Sequence, residues 1–289
     1  MTMKKLNRVI SAALSGALIF CNFSPVLAAP DEPEKQYTYT MYKEGFEDGE
    51  VGFDIKANDG YNYASYQGYK DTNPDNLTDS ASIAESDGNK YAEIKRFGKQ
   101  SYDKRPDSAI KTYLSNETGI SLQHTDLGFT SNFVYKAKFK VPDEAKGKNP
   151  GIFLEATTQI HAANTGTRAF FFAITKAEEN SVKYQYEGSD YDAESGTYAA
   201  YPDRYKNESK DNISLFGSDW NEIEFKTDMK TGECTVALNG AVLITTYLTK
   251  GTMVTTRPVN INCVLFGVSR AGGVNGTFGF DDIEVVCDS

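Results

Sequence analysis

Apolar and polar residues alternate strictly through much of this chain, most clearly at residues 132–141. There Phe133, Tyr135, Ala137, Phe139 and Val141 fall on one face, and Val134, Lys136, Lys138 and Lys140 on the other. A period of two is the signature of a strand with one buried and one wet face. Pro142, which lacks an N–H, ends it. Residues 220–247 repeat the pattern around two turn signals. Ile223 and Phe225 alternate with Glu222, Glu224 and Lys226; Lys230-Thr231-Gly232 makes a turn; Cys234, Val236 and Leu238 alternate with Glu233, Thr235 and Ala237. Asn239-Gly240 then supplies the positive φ angles of a type I′ hairpin turn, and Val242-Leu243-Ile244 begins the return strand. A three-stranded antiparallel meander is predicted.

Further strands are expected at 37–44, 90–96, 108–114, 120–124, 151–161, 168–175, 181–187, 259–268 and 277–286. Residues 58–87 and 191–212, rich in Tyr, Asn, Asp, Ser and Gly, read as long surface loops. No helical period exceeds two turns beyond the N-terminal segment, and no internal repeat occurs. Many short strands without helices predict an all-β, two-sheet antiparallel β-sandwich, formed as a single domain over residues 37–289.

The first 28 residues change the compartment. Lys4, Lys5 and Arg8 precede an apolar run and the small-residue end Val26-Leu27-Ala28, the layout of a secretory signal peptide. The run is too short to span a membrane. Residues 29–36 form a flexible charged leader, and the expected location is extracellular or cell-surface. Removing three positive charges and no acids takes the formal charge from −10 to −13. That balance disfavours nucleic acid and anionic membrane, so no nucleic acid partner and no membrane insertion are expected. Three cysteines follow the leader, enough for one disulfide and a spare thiol, or for none. Cys234 and Cys263 lie within apolar alternation as core positions. No Cys/His spacing suits zinc.

Phe46-Glu47-Asp48-Gly49, Trp220 opening a strand, Asn239-Gly240 and the closing run from Gly279 through Phe280-Asp281-Asp282 to Val285 together resemble the concanavalin A-like lectin/glucanase jelly rolls. The resemblance implies neighbouring first and last strands and a concave sheet that often holds sugar. Gln159-Ile160-His161 is similar to the Gln-Ile-His motif of alginate-lyase-type jelly rolls. On a strand, positions 159 and 161 share a face. The resemblance implies that Gln159 neutralises a uronate carboxylate while His161 takes the C5 proton in β-elimination, a role suited to an imidazole. The family's Arg-Ser/Thr-Glu-x-Arg and Tyr-x-x-Gly-x-Tyr strands are absent; Arg168 and Tyr184 are the candidates to stand in for them.

Tyrosines suit sugar, since the ring offers an apolar face and the hydroxyl a polar rim; Tyr186, Tyr198 and Tyr201 are the candidate contacts. The same residues equally serve to fill β positions and anchor loops. Convergence of the terminal strands would bring Glu47, Asp48 and Asp281 together, and the resemblance implies a structural Ca²⁺ there. No strand shows the closely spaced acidic series of a glucanase-type hydrolase. Two functions therefore stand: an exported carbohydrate-binding jelly roll with a glycan ligand as its partner, or a polysaccharide lyase using Gln159, His161, Arg168 and Tyr184.

Overall fold

The computed structural model describes residues 37–48, 80–96, 108–113, 132–157, 168–192, 197–200, 203, 205–217, 220–248, 261, 263–269 and 274–288. The expected signal peptide and leader, Gln159, His161 and Tyr201 lie outside the described residues. The described strands fall within one unit, Gln36–Ser289.

They build two antiparallel sheets. One holds ten strands: β1 (Tyr37–Glu44), β2 (Ser80–Ser86), β3 (Asn89–Arg96), β5 (Phe133–Lys140), β9 (Ser189–Asp192), β10 (Thr197–Ala200), β12 (Asn221–Thr227), β13 (Glu233–Leu238), β14 (Ala241–Tyr247) and β16 (Gly276–Asp288). The other runs in the order β11 (Lys206–Asp211), β8 (Ser181–Glu187), β7 (Arg168–Glu178), β6 (Ile152–Thr157), β15 (Cys263–Val268), β4 (Ser108–Tyr113). The chain passes repeatedly between the two sheets, and the fold is the expected two-sheet antiparallel sandwich.

The meander forms as its turns dictate. Asn239 and Gly240 have φ of 50° and 77°, matching the right-handed twist of the strands they join. Asn239 also accepts a hydrogen bond from the Glu222 N–H at 2.9 Å, which pins the turn to β12. On β5 the alternation holds beyond Val134, which is buried on the other face: Phe133, Tyr135, Ala137 and Phe139 lie in the core, whereas Lys136 and Lys138 pair outside with Glu224 and Asp282. The first strand does lie beside the last. β16 carries β5 along one side; along the other, β3 gives way to β1. The handover sits at a bulge around Asp281 and Asp282, with Asp282 at φ 45°.

Rings from opposite sheets fill the gap between them. Phe266 of β15 meets Phe139 and Phe280 edge-on at 5.6 and 5.4 Å. Phe170 of β7 stacks on Phe225 of β12 at 4.9 Å. Cys234 and Cys287 are buried thiols.

Two expectations of loop structure are replaced by strands. Residues 191–212 contribute the end of β9, all of β10 and β11, and residues 58–87 contribute β2. β11 reads KNESKD, without one apolar residue, because it is an exposed edge strand held through its ladder with β8. Alternation cannot reveal a strand that buries neither face.

Gly188 marks the crossing from β8 in one sheet to β9 in the other. A Cβ there would lie 2.5 Å from Thr246 Oγ1 and 2.9 Å from its Cγ2, and Thr246 is itself held by donating to the Ser189 carbonyl at 3.1 Å. Gly188→Ala should therefore lower unfolding stability by about 1–3 kcal/mol, the usual cost of overpacking, measured by denaturant titration. Wild-type stability in the variant would show that the corner has room.

Candidate functional site

The central strands of the six-stranded sheet, β6, β7 and β15, carry apolar residues on both faces. The sheet's inner face supplies Ile152, Leu154, Phe170, Phe172, Ile174, Val264 and Phe266 to the main core. The intervening residues Phe153, Phe171, Ala173 and Leu265 form a second buried cluster on the outer face, with Tyr205 packed against it. The register aligns Leu265 with Glu155, Glu155 with Phe171, and Phe171 with Glu187 across β15, β6, β7 and β8. Cross-strand partners share a face, so these four residues make one row over the sheet.

Arg168 lies over that row because of a β-bulge. Phe172 and Phe170 point inward, and strict alternation would send Arg168 after them into the core. Ala156 pairs with Phe170 but Thr157 pairs with Arg168, leaving Ala169 as an extra residue. The extra residue reverses the parity, and Arg168 emerges on the outer face. Its guanidinium stacks on the Phe171 ring at 4.5 Å. It donates to Glu155 through Nε at 2.9 Å, with Nη2 2.7 Å from the same oxygen, and to Glu187 and Tyr205 Oη through Nη1 at 3.2 and 3.1 Å. The Arg168, Glu155 and Glu187 side chains are 25%, 20% and 7% exposed. Burial alone would weaken the cation, but Glu155 and then Tyr205 and Glu187 outweigh it and hold Arg168 more firmly protonated than usual.

Tyr184 and Tyr186 do not share this face. Both rings belong to the main core, 2% and 5% exposed. Tyr184 Oη shares its single proton between the Leu243 carbonyl at 3.0 Å and Glu208 at 3.3 Å; Tyr186 Oη donates to the other Glu208 oxygen at 2.8 Å. The sequence set Tyr184 beside Arg168 and Tyr186 against sugar. In the structure the alternation of β8 turns both inward, while Glu187 faces out. Tyr198 sits on β10, in the ten-stranded sheet.

At the corner expected to hold calcium, Asp281 is buried whereas Glu47 and Asp48 are not. Asp281 is 3% exposed, accepting from Asn89 Nδ2 and from the Asp282 N–H, both at 2.8 Å. Burial raises its pKa. Glu47 and Asp48 are exposed, and Glu47 engages Lys90 through its backbone carbonyl at 3.0 Å. Among the described residues no three His, Cys, Asp or Glu side chains gather into a metal-holding group.

The outer face of the ten-stranded sheet differs in character. Lys140 Nζ sits 4.1 Å over the Tyr91 ring and 4.8 Å over Trp220. A shallow cleft of about 190 Å³ at the β16 bulge is lined by Lys43, Lys136, Lys138, Glu222, Asp282 and Glu284, three charges of each sign. Among the described residues, no helix is long and apolar enough to cross a membrane.

Of the residues gathered on this face, the sequence reading names Arg168 but not Glu155, Glu187, Phe153, Phe171 or Tyr205. A signal existed: Phe170-Phe171-Phe172 is apolar at successive positions, the mark of a strand covered on both faces. An arginine opening such a strand requires counter-charges from its neighbours.

No protein-family model and no curated protein sequence matches the chain. Solved structures do resemble it. A GlcNAcα1-4Gal-releasing endo-β-galactosidase from Clostridium perfringens aligns with TM-score 0.49 and 10% identity over 90% of this chain and 65% of that one. A glycoside hydrolase family 16 endo-glucanase from Bacteroides ovatus gives TM-score 0.41 and 11% identity over 71% and 84%. Domain 4 of an extracellular arabinanase from Geobacillus stearothermophilus, solved with arabinotriose, gives 0.38 and 8% over 88% and 94%.

The Tyr184 hydroxyl provides a pH test of its placement. Burial, reinforced by Glu208, pushes its pKa from 10.0 to about 12. The folded state thus holds this proton more tightly than the unfolded one. The resulting stability is fully present below pH 10.0 and disappears as pH rises through about 12. Tyr184→Phe should cost about 1 kcal/mol at neutral pH through the lost hydrogen bond and should flatten the alkaline fall in Tm. An unchanged alkaline profile would contradict the buried placement.

Proposed function

We propose that this protein is an exported, concanavalin A-like jelly-roll domain that binds polysaccharide, outside the cell or at its envelope, on the outer face of its six-stranded sheet. The supporting observation is the cross-strand row Glu155–Phe171–Glu187 with Arg168 laid over it and Tyr205 at its end. Sugar recognition takes an apolar ring face for the C–H face of the pyranose and fixed planar polar groups for its hydroxyls. Tyr205, half-buried with its ring centroid 5.7 Å from that of the buried Phe171, supplies the first. The two carboxylates and the guanidinium supply the second, and their ion pairs fix them in place, so little ordering remains when a ligand arrives. A row that crosses several strands suits a chain of sugars better than a single small molecule.

The eliminative reading receives less support. It needs a tyrosine or histidine beside a cation that is ready to accept a uronate carboxylate. Tyr184 lies on the opposite face of the sheet from Arg168, and Arg168 already has two carboxylate partners.

Native gels cast with a panel of soluble polysaccharides test the binding reading. The wild-type chain should be retarded by at least one polymer without generating unsaturated, ultraviolet-absorbing ends. Tyr205→Ala should weaken that retardation by about tenfold, the effect of losing one good contact of about 1.4 kcal/mol, while Trp220→Phe on the other sheet leaves it unchanged. Equal retardation of wild type and Tyr205→Ala, at unchanged Tm, would remove this face as the site. Unsaturated product from a uronate polymer would restore the lyase.

A further inference from the structure

We infer that this protein forms a twofold dimer in which β2 of one copy pairs antiparallel with β2 of the other, joining two ten-stranded sheets into one. β2 ends the path of its sheet, and among the described strands β3 is its one neighbour. A strand so placed offers a row of backbone N–H and C=O groups to any chain able to pair with it. Folded proteins blunt such edges with charge, bulges or short length. The other described edges carry those devices. β11 has four charged residues among its six, β10 is four residues long, β4 carries Lys111, and the ladder of β1 with β16 is broken by two register shifts. β2 is different. Its seven residues, SASIAES, keep an unbroken register with β3, and Glu85 is their single charge. Ser82, Glu85 and Ser86 are exposed, and Ile83 and Ala84 are half-buried, so the edge is open to solvent.

The strand is complementary to itself about an axis through Ile83. Across such a joint Ile83 meets its own counterpart, Ser82 meets Ala84, Ala81 meets Glu85 and Ser80 meets Ser86. Glu85 is thereby kept from standing opposite the Glu85 of the other copy, where like charges would repel. Ser82 and Ala84, in register with Glu93 and Tyr91 on the outer face, are small and leave room for the approach. Ile83 lies in register with Ala92 and packs, half-buried, at the margin of the main core. A second copy brings an isoleucine to that same margin, so each core continues across the joint; an unrelated extended peptide would gain the ladder without this contact. Twofold closure consumes both edges at once, and assembly stops at two. The axis stands perpendicular to the joined sheet, which puts the six-stranded sheets of both copies on one side. On the binding reading above, one polymer could then engage both copies, at a gain in avidity. The pairing itself does not depend on that reading.

Sedimentation equilibrium of the exported protein tests the pairing. Wild type should give twice the mass of one chain at micromolar concentration. Ser82→Lys combined with Ala84→Lys sets lysines opposite one another at two places across the joint, and should raise the dissociation constant about tenfold or more. Ser82→Glu combined with Ala84→Glu should do the same. Mixing the two double variants in equal amounts should restore the dimer, because every opposed pair then joins unlike charges. Tm shows that each variant is folded. A wild-type mass of one chain would overturn the proposal. So would a dimer that survives in both double variants, since its interface would lie elsewhere. A mixture that stays monomeric would overturn it as well, since positions 82 and 84 would then not meet.

Discussion

Two sheets are held face to face by aromatic rings that cross the space between them, and every other feature of the molecule is a consequence. Phe266 reaches from the six-stranded sheet to Phe139 and Phe280, and Phe170 lies flat on Phe225. Rings of this size bury a large apolar area and also hold definite mutual orientations. Because strand side chains alternate, committing Phe170, Phe172, Leu154 and Phe266 to the interior fixes which residues stand outside. Phe153, Phe171, Glu155, Leu265 and Glu187 are the complement of the core set.

The outer face then faces a problem of charge. It is apolar enough to form a second cluster, yet it must accommodate an arginine that a single bulge at Ala169 turns out of the core. The cation is tolerable there because it lies on an aromatic ring and between two carboxylates. Ion pairs of this kind add little net stability, since desolvation offsets most of the attraction. What they provide is position: four polar side chains from separate segments of the chain, held together beside a ring. The opposite sheet solves its problem differently, with lysines and glutamates interleaved along β5 and β12 in contact with water. The two outer faces of one sandwich thus offer different chemistry.

Much of the architecture was legible before any coordinates. The Asn239-Gly240 turn and the alternation of β5 follow from residue pattern alone, and the pairing of the first strand with the last from the jelly-roll resemblance. The candidate site was less legible, for identifiable reasons. Strands covered on both faces lose the polar–apolar alternation that tells inside from outside, so Tyr184 and Tyr186 looked as available as Glu187. The bulge at Ala169 leaves no mark in the sequence, yet it decides where Arg168 points. β11 has no apolar residue to betray it, and without it Glu208 could not be seen as the partner of two core tyrosines. Gln159 and His161, the most suggestive pair in the sequence, lie outside the described residues.

The central claim is that ligand meets the outer face of the six-stranded sheet. Amide chemical shifts, followed as an uncharged oligosaccharide is titrated into isotope-labelled protein, test it most directly. The account predicts saturable shifts concentrated at Glu155, Arg168, Phe171, Glu187 and Tyr205, with the indole N–H of Trp220 unmoved. Shifts centred on Trp220, Tyr91 and Lys140, with that row silent, would contradict it.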